Sequence, residues 1–238
     1  MAENISSYIL DYAAGKTSFT LEEVYEAYSR TEPLERSTLT WHLGKLAGRG
    51  EIARIGQGVY TLTDKAVFAP ALSESAKTVY ASLSKTFPGA RLCLYEGPWI
   101  SPMLHHLASN QIIYVETDRM AAEAVFEQLR TEGRSAYFRP DEDMIYRYID
   151  LDKPALFVKP LVSEAPVTKR DGIPVATLEK LLVDIYTDPD FYYLQGGEYH
   201  SIVENAKSLY SINTVKLLRY ASRRGVKEDM VKFFEEQL

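Results

Sequence analysis

The chain has 238 residues, 46% of them hydrophobic and 25% charged, which is enough apolar material for a sizeable core without a disulfide or metal staple. Its one cysteine, Cys93, excludes an internal disulfide framework. No apolar run approaches the ~18 residues of a spanning helix, and the opening MAENISSYIL lacks the basic start of a signal peptide. The net charge of -6 excludes a surface that is basic throughout, though not a local basic patch. The thiol lies between Leu92 and Leu94 and is expected to be buried. A lone cysteine and no leader together suggest a cytoplasmic protein.

Ile5, Ile9, Leu10 and Ala13 share one helical face, and Gly15 ends that helix. Thr20 and Glu23 form a capping box for a second helix running to Ser29, with Leu21, Val24, Tyr25 and Tyr28 inward. After Pro33, the apolar stripe Leu39, Leu43, Leu46 predicts a third helix over 34–47. The residues off this stripe are Arg36, Ser37, Thr38, Thr40, Trp41, His42 and Lys45. They are cationic, hydrogen-bonding or aromatic and crowd the N-terminal half, as base-edge contact by a helix in the major groove requires. Two β-prone runs, 51–55 and 59–62, flank Gly56-Gln57-Gly58 and predict a hairpin, with Arg54 and Gln57 directed at a sugar-phosphate backbone. Three helices and a hairpin in this order read as a winged helix-turn-helix. From Arg36 to Tyr60 there are four cations (Arg36, Lys45, Arg49, Arg54) and one anion (Glu51), 4 - 1 = +3, within an acidic chain. Positive potential of that kind favours phosphates.

A junction is expected near Pro70, dividing the chain into a DNA-binding domain, 1–70, and a second domain, 71–238. Ser73 caps a helix to about Thr86. Strands are expected at 91–95, 112–116, 137–138, 145–149 and 155–162, with short helices at 101–108 and from Asp118 to 129. Asp171-Gly172 marks a hairpin between Val167 and 173–175. From 178 onward the pattern is helical: 178–186, 199–210, 213–223 and 227 to the end. The fold class read from this order is α+β or α/β: an N-terminal winged helix-turn-helix, a mixed α/β domain and a C-terminal helical bundle.

Catalytic signals are weak. Asp150-Leu151-Asp152 has the spacing of a two-metal carboxylate pair, but Lys153-Pro154 follows at once, so it reads as a strand leaving the sheet. His105 and His106 are adjacent and point about 100° apart on a helix, a poor joint ligand set. There is no phosphate-binding loop and no nucleophile elbow. Gly196-Gly197 reads as a loop or cap before a helix over 198–210 rather than as a phosphate cradle. The expectation is a protein that is not an enzyme, with no cofactor and no metal.

Three stretches carry a family likeness: Leu43-Gly44-Lys45-Leu46 with Gly50 to Arg54 and Gly58-Val59-Tyr60; Gly172 to Asp184, reading GIPVATLEKLLVD; and Asn213 to Ala221 with Arg224-Gly225. On these the chain resembles the AbiEi family of type IV antitoxins, while the central segment 90–162 carries no matching motif. The resemblance implies an autorepressor of its own operon, bound to double-stranded operator DNA. It also implies a C-terminal domain that counteracts a nucleotidyltransferase-like toxin without a stable complex. Competing readings are a plain winged-helix regulator with a ligand-sensing or dimerising C-terminal domain, and a nuclease or transferase with a DNA-targeting head. The last would need a carboxylate cluster in the folded C-terminal domain.

Overall fold

The computed structural model describes residues 2–105 and 110–235, so His106 and the end of the expected 101–108 helix lie outside the described residues. The architecture mixes α-helices with two separate sheets, one of three strands and one of six. Contacts group the chain into two units: residues 1–68 with 206–219, and residues 69–205 with 220–238.

In the first unit, α1 (Ala2–Ala13), α2 (Leu21–Ser29) and α3 (Arg36–Gly48) surround a sheet of β1 (Phe19–Thr20), β2 (Ile52–Gly56) and β3 (Val59–Leu62), in the order β1-β3-β2. The capping box forms as expected: the Glu23 amide donates to Thr20 Oγ1 at 3.1 Å, and the Thr20 amide donates to Glu23 Oε2 at 2.6 Å. Ile9, Val24, Leu39, Leu43, Leu46 and Ile52 meet in one apolar core. The β2–β3 hairpin turns at Gln57-Gly58, where Gly58 has φ +70°, a conformation costly for any residue with a Cβ. The segment 206–219 joins this unit through a bridge between Ala66 and Tyr210, with the Ser211 amide donating to the Ala66 carbonyl at 2.9 Å.

The second unit holds β4 (Leu92–Glu96), β5 (Ile112–Thr117), β6 (Ala136–Phe138), β7 (Ala155–Pro160), β8 (Val167–Arg170) and β9 (Ile173–Ala176), in the order β6-β7-β5-β4-β9-β8. β5, β6 and β7 run parallel to one another; β4 is antiparallel to β5 and parallel to β9. The helices are α4 (Glu74–Thr86), α5 (Ala122–Thr131), α6 (Glu142–Tyr148), α7 (Leu178–Thr187), α8 (Gly197–Leu209), α9 (Thr214–Arg224) and α10 (Lys227–Glu235), and the unit boundary cuts through α8 and α9. Central strands β4 and β5 are buried along their whole length, as strands covered on both faces must be. Cys93 is among those buried residues. Asp171 and Gly172, at φ +50° and +81°, make the expected β8–β9 turn.

Four local expectations need correction. Residues 145–149 belong to helix α6 and its C-cap, not to a strand: the Asp141 carboxylate caps the Met144 amide at 2.8 Å, and Ile145 and Ile149 are buried four residues apart. Asp118 caps no helix; its carboxylate accepts from the Arg91 amide and Nε, and α5 begins at Ala122. The helical turn expected from Ser101 is a 3₁₀ helix over Gly97–Met103, started by Pro98. Asp150 is in a turn outside the sheet, accepting from the Asp152 amide at 3.1 Å and pairing with Lys153.

Candidate functional site

Two places concentrate chemistry. The first is the outer face of α3 and the adjoining hairpin. Ser37, Trp41, Gly44, Lys45 and Gly48 recur at helical spacing and are all exposed, opposite Leu39, Leu43 and Leu46. Trp41 is 58% exposed, with the Lys45 ammonium 5.1 Å from its ring. Thr40 is exposed but turns its hydroxyl back to the Arg36 carbonyl at 2.8 Å, and Thr38 is half-buried. Arg36 is exposed, paired with Glu22 at 2.5 Å and stacked 4.7 Å over Tyr25. Arg54 is half-buried and donates to the Gly56 carbonyl at 3.1 Å, while Gln57 is exposed at the turn. Of the four cations counted in this stretch, Arg36 and Arg49 face carboxylates, whereas Lys45 and Arg54 pair with no carboxylate among the described residues.

His42 does not belong to this face. It is buried, and its Nδ1 lies 2.9 Å from Ser6 Oγ on α1. Burial, with the Lys45 charge adding to it, holds the imidazole below its ordinary pKa. The spacing contained this signal: position 42 lies three after Leu39 and four before Leu46, on the core side.

The second place is one face of the six-stranded sheet. Alternation along β4, β5 and β7 puts Cys93 and Tyr95, Tyr114 and Glu116, and Phe157 and Lys159 in cross-strand register. Tyr95 stacks on Tyr114 with ring centroids 4.5 Å apart, and Phe191 lies 5.1 Å from Tyr114. Over this aromatic floor runs a chain of buried charges. Lys180 Nζ donates to Glu116 Oε1 at 2.8 Å and to Asp184. Asp184 Oδ1 accepts from Tyr220 Oη and from Arg224 Nη1, both at 2.8 Å. Asp188 binds Arg224 Nη2 and, at 2.6 Å, Lys159 Nζ, which also donates to Asp190 at 2.5 Å.

Helix α7 explains the geometry. It is capped by Thr177, and its residues 178–185 are buried all round, so its charged side chains must find partners inside. Lys180, Asp184 and Asp188 recur every four residues and form one row. Burial works against the charge of Lys159 and Lys180, yet their carboxylate partners hold both pKa values well above the ordinary lysine range. Asp188 is pushed up by burial but held below the ordinary range by Lys159 and Arg224. Glu116 is raised by burial, which outweighs Lys180. Its Oε2 has no hydrogen-bond partner among the described residues.

This row borders a cleft of about 610 Å³, lined among others by Glu116, Lys159, Asp188, Asp190 and Arg224 and by Arg119 and Arg139. Sequence reasoning missed the network. The available signal was a charged pair four apart, Lys180 and Asp184, inside an otherwise apolar helix. Asp188 and Asp190 follow in the turn after α7; the other members come from β5, β7 and α9, and no local pattern joins those to the helix. Among the described residues no three His, Cys, Asp or Glu side chains converge as metal ligands. Nor is any helix there long and apolar enough to cross a membrane.

The chain belongs to the DUF6577 family, a family of unknown function, whose model matches residues 38–238. No curated protein matches it. Among solved structures, the RV2827C protein from Mycobacterium tuberculosis is similar at 13% identity, with 99% of this chain and 82% of that chain covered, at a TM-score of 0.33, too low to bear on fold or function.

Proposed function

We propose that this DUF6577 protein is a DNA-binding transcriptional autorepressor whose first unit is a winged helix-turn-helix, and that it also acts as the antitoxin to a nucleotidyltransferase-like toxin. The observation that carries the DNA reading is the exposed row Ser37, Trp41 and Lys45 beside a hairpin bearing Arg54 and Gln57. Gly44 and Gly48 are exposed in the same row with open space around them. Glycine in a helix costs about 1 kcal/mol, and here it leaves the helix backbone open to close approach by a phosphate strand. Arg36 fits a phosphate role as well, since its exposed pair with Glu22 contributes little and exchanges readily.

The antitoxin part rests on the resemblance of 172–184 and 213–225 to the AbiEi family. Residues from both stretches, Lys180, Asp184, Tyr220 and Arg224, belong to one buried network. A shared structural role of that kind gives both motifs a common reason to exist. The test has two readouts with the full chain: affinity for the DNA upstream of its own gene across a salt titration, and growth of cells expressing an adjacent nucleotidyltransferase-like gene with and without this protein. Salt-independent or absent DNA binding overturns the first part; no rescue overturns the second.

A further inference from the structure

The cleft of the second unit lies at the carboxyl ends of three parallel strands. Glu116 lies at the end of β5 and Arg119 just beyond it, Arg139 follows β6, and Lys159 lies at the end of β7. In open α/β sheets the crevice beyond these ends is where small ligands bind, because the strands stop there and side chains from several loops converge.

The hydrogen-bonding state of the lining narrows the ligand. Lys159, Asp188, Asp190 and Arg224 are committed to one another. Asp141 is committed to the start of α6. Arg119 and Arg139 make no side-chain hydrogen bond or ion pair with any described residue, and both are exposed. Arg139 also sits at φ +46°, a conformation that a long side chain occupies only under constraint. Its amide donates to the Val158 carbonyl at 2.9 Å, which fixes it there. Backbone strain of this sort concentrates at ligand clamps. Glu116 also lines the cleft, and its buried Oε2 lacks a partner among the described residues; an unsatisfied buried polar atom asks for a donor.

We infer that this cleft binds a small hydroxyl-bearing phosphate monoester, its phosphate clamped by Arg119 and Arg139 and a hydroxyl donating to Glu116. Planar guanidinium forks match phosphate oxygens. The volume of about 610 Å³ exceeds what a bare phosphate fills and suits a sugar phosphate or a mononucleotide. The site is independent of the DNA-binding reading, since every residue in it belongs to the second unit.

The test is calorimetric titration of the full chain with ribose 5-phosphate, adenosine 5′-monophosphate, adenosine and inorganic phosphate, and with a short single-stranded oligodeoxynucleotide as competitor. A phosphate monoester binds; adenosine does not, and inorganic phosphate binds more weakly than the ester. Arg119→Ala and Arg139→Ala each weaken ester binding at least about ten-fold with an unchanged urea midpoint, because neither side chain has a partner to lose. Arg139→Lys restores part of the affinity through its charge. Glu116→Gln weakens the ester but not inorganic phosphate. The inference falls if neither ester binds, if inorganic phosphate binds as tightly as the esters, if the oligonucleotide displaces the ester with equal affinity, or if the double variant Arg119→Ala/Arg139→Ala binds as the natural protein does.

Discussion

The first unit keeps its charge on the surface, and the second buries it. Of the ten buried polar or charged residues among those described, only His42 lies in the first unit, and the other nine, from Glu96 to Asp190, lie in the second. The first unit is held by an apolar core and local devices: a capping box, a glycine turn and one imidazole tied to Ser6. Its exposed ion pairs cost little to open, as the DNA-binding proposal requires of a surface that would exchange carboxylates for phosphates. The second unit has desolvated seven charges, Glu116, Lys159, Lys180, Asp184, Asp188, Asp190 and Arg224, and orients them by mutual hydrogen bonds. Such a network is intolerant of losing a member, because the partner left behind is a buried uncompensated charge.

The largest effect should come from breaking that asymmetry. Lys180→Met leaves Asp184 and Glu116 facing each other without their ammonium and should cost about 3–5 kcal/mol. Arg36→Met on the first unit's surface pair should cost about 0–1 kcal/mol. Urea unfolding of both variants checks the contrast, and equal losses would refute it.

Alkali should act on the second unit next. The pKa values of Lys159 and Lys180 are raised above their ordinary 10.5, and those of Tyr95 and Tyr114 above 10.0. A raised folded-state pKa gives stability that is complete below the unfolded value and lost as the pH climbs past it. The urea midpoint should therefore hold level up to about pH 10 and then fall, with tyrosine ionisation, read by ultraviolet absorbance, accompanying unfolding. A midpoint flat to pH 12 would show that these groups titrate as exposed ones do.

A smaller effect belongs to the hairpin. Gly58→Val places a branched residue at φ +70° with no neighbouring atom to clash with, so the cost is that of the backbone alone, about 1–2 kcal/mol. Amide exchange should rise in β2 and β3 and stay unchanged in β4 and β5. Lys45→Ala should have the least effect on stability, within about 0.5 kcal/mol. In the DNA-binding proposal it nonetheless weakens binding to all sequences and lowers the salt slope by about 1. An unaltered slope would remove Lys45 from the interface.

Legibility in the sequence followed interaction range. The capping box at Thr20, the stripe of α3, the glycine turn and the Asp171-Gly172 hairpin each depend on residues within a few positions, and each formed where expected. The strand expected at 145–149 failed because Tyr146, Arg147 and Tyr148 between two isoleucines fit either period, and the deciding Asp141 cap lies outside that run. His42 falls off the stripe when only leucines count as core, yet its place three after Leu39 and four before Leu46 puts it on the core side.

The sequence by itself determined most of the helical and extended segments, that Cys93 is buried, and where the acidic chain turns locally basic, because these follow from side-chain periodicity, backbone sterics and local composition. Only the tertiary structure decided that Glu116, Lys159, Lys180, Asp188 and Arg224 share one desolvated network, and that Arg119 and Arg139 line one cleft beside it. Those residues come from three strand ends, one helix and a second helix more than a hundred positions from the first of them. The burial that makes their charges consequential exists only once the sheet has assembled.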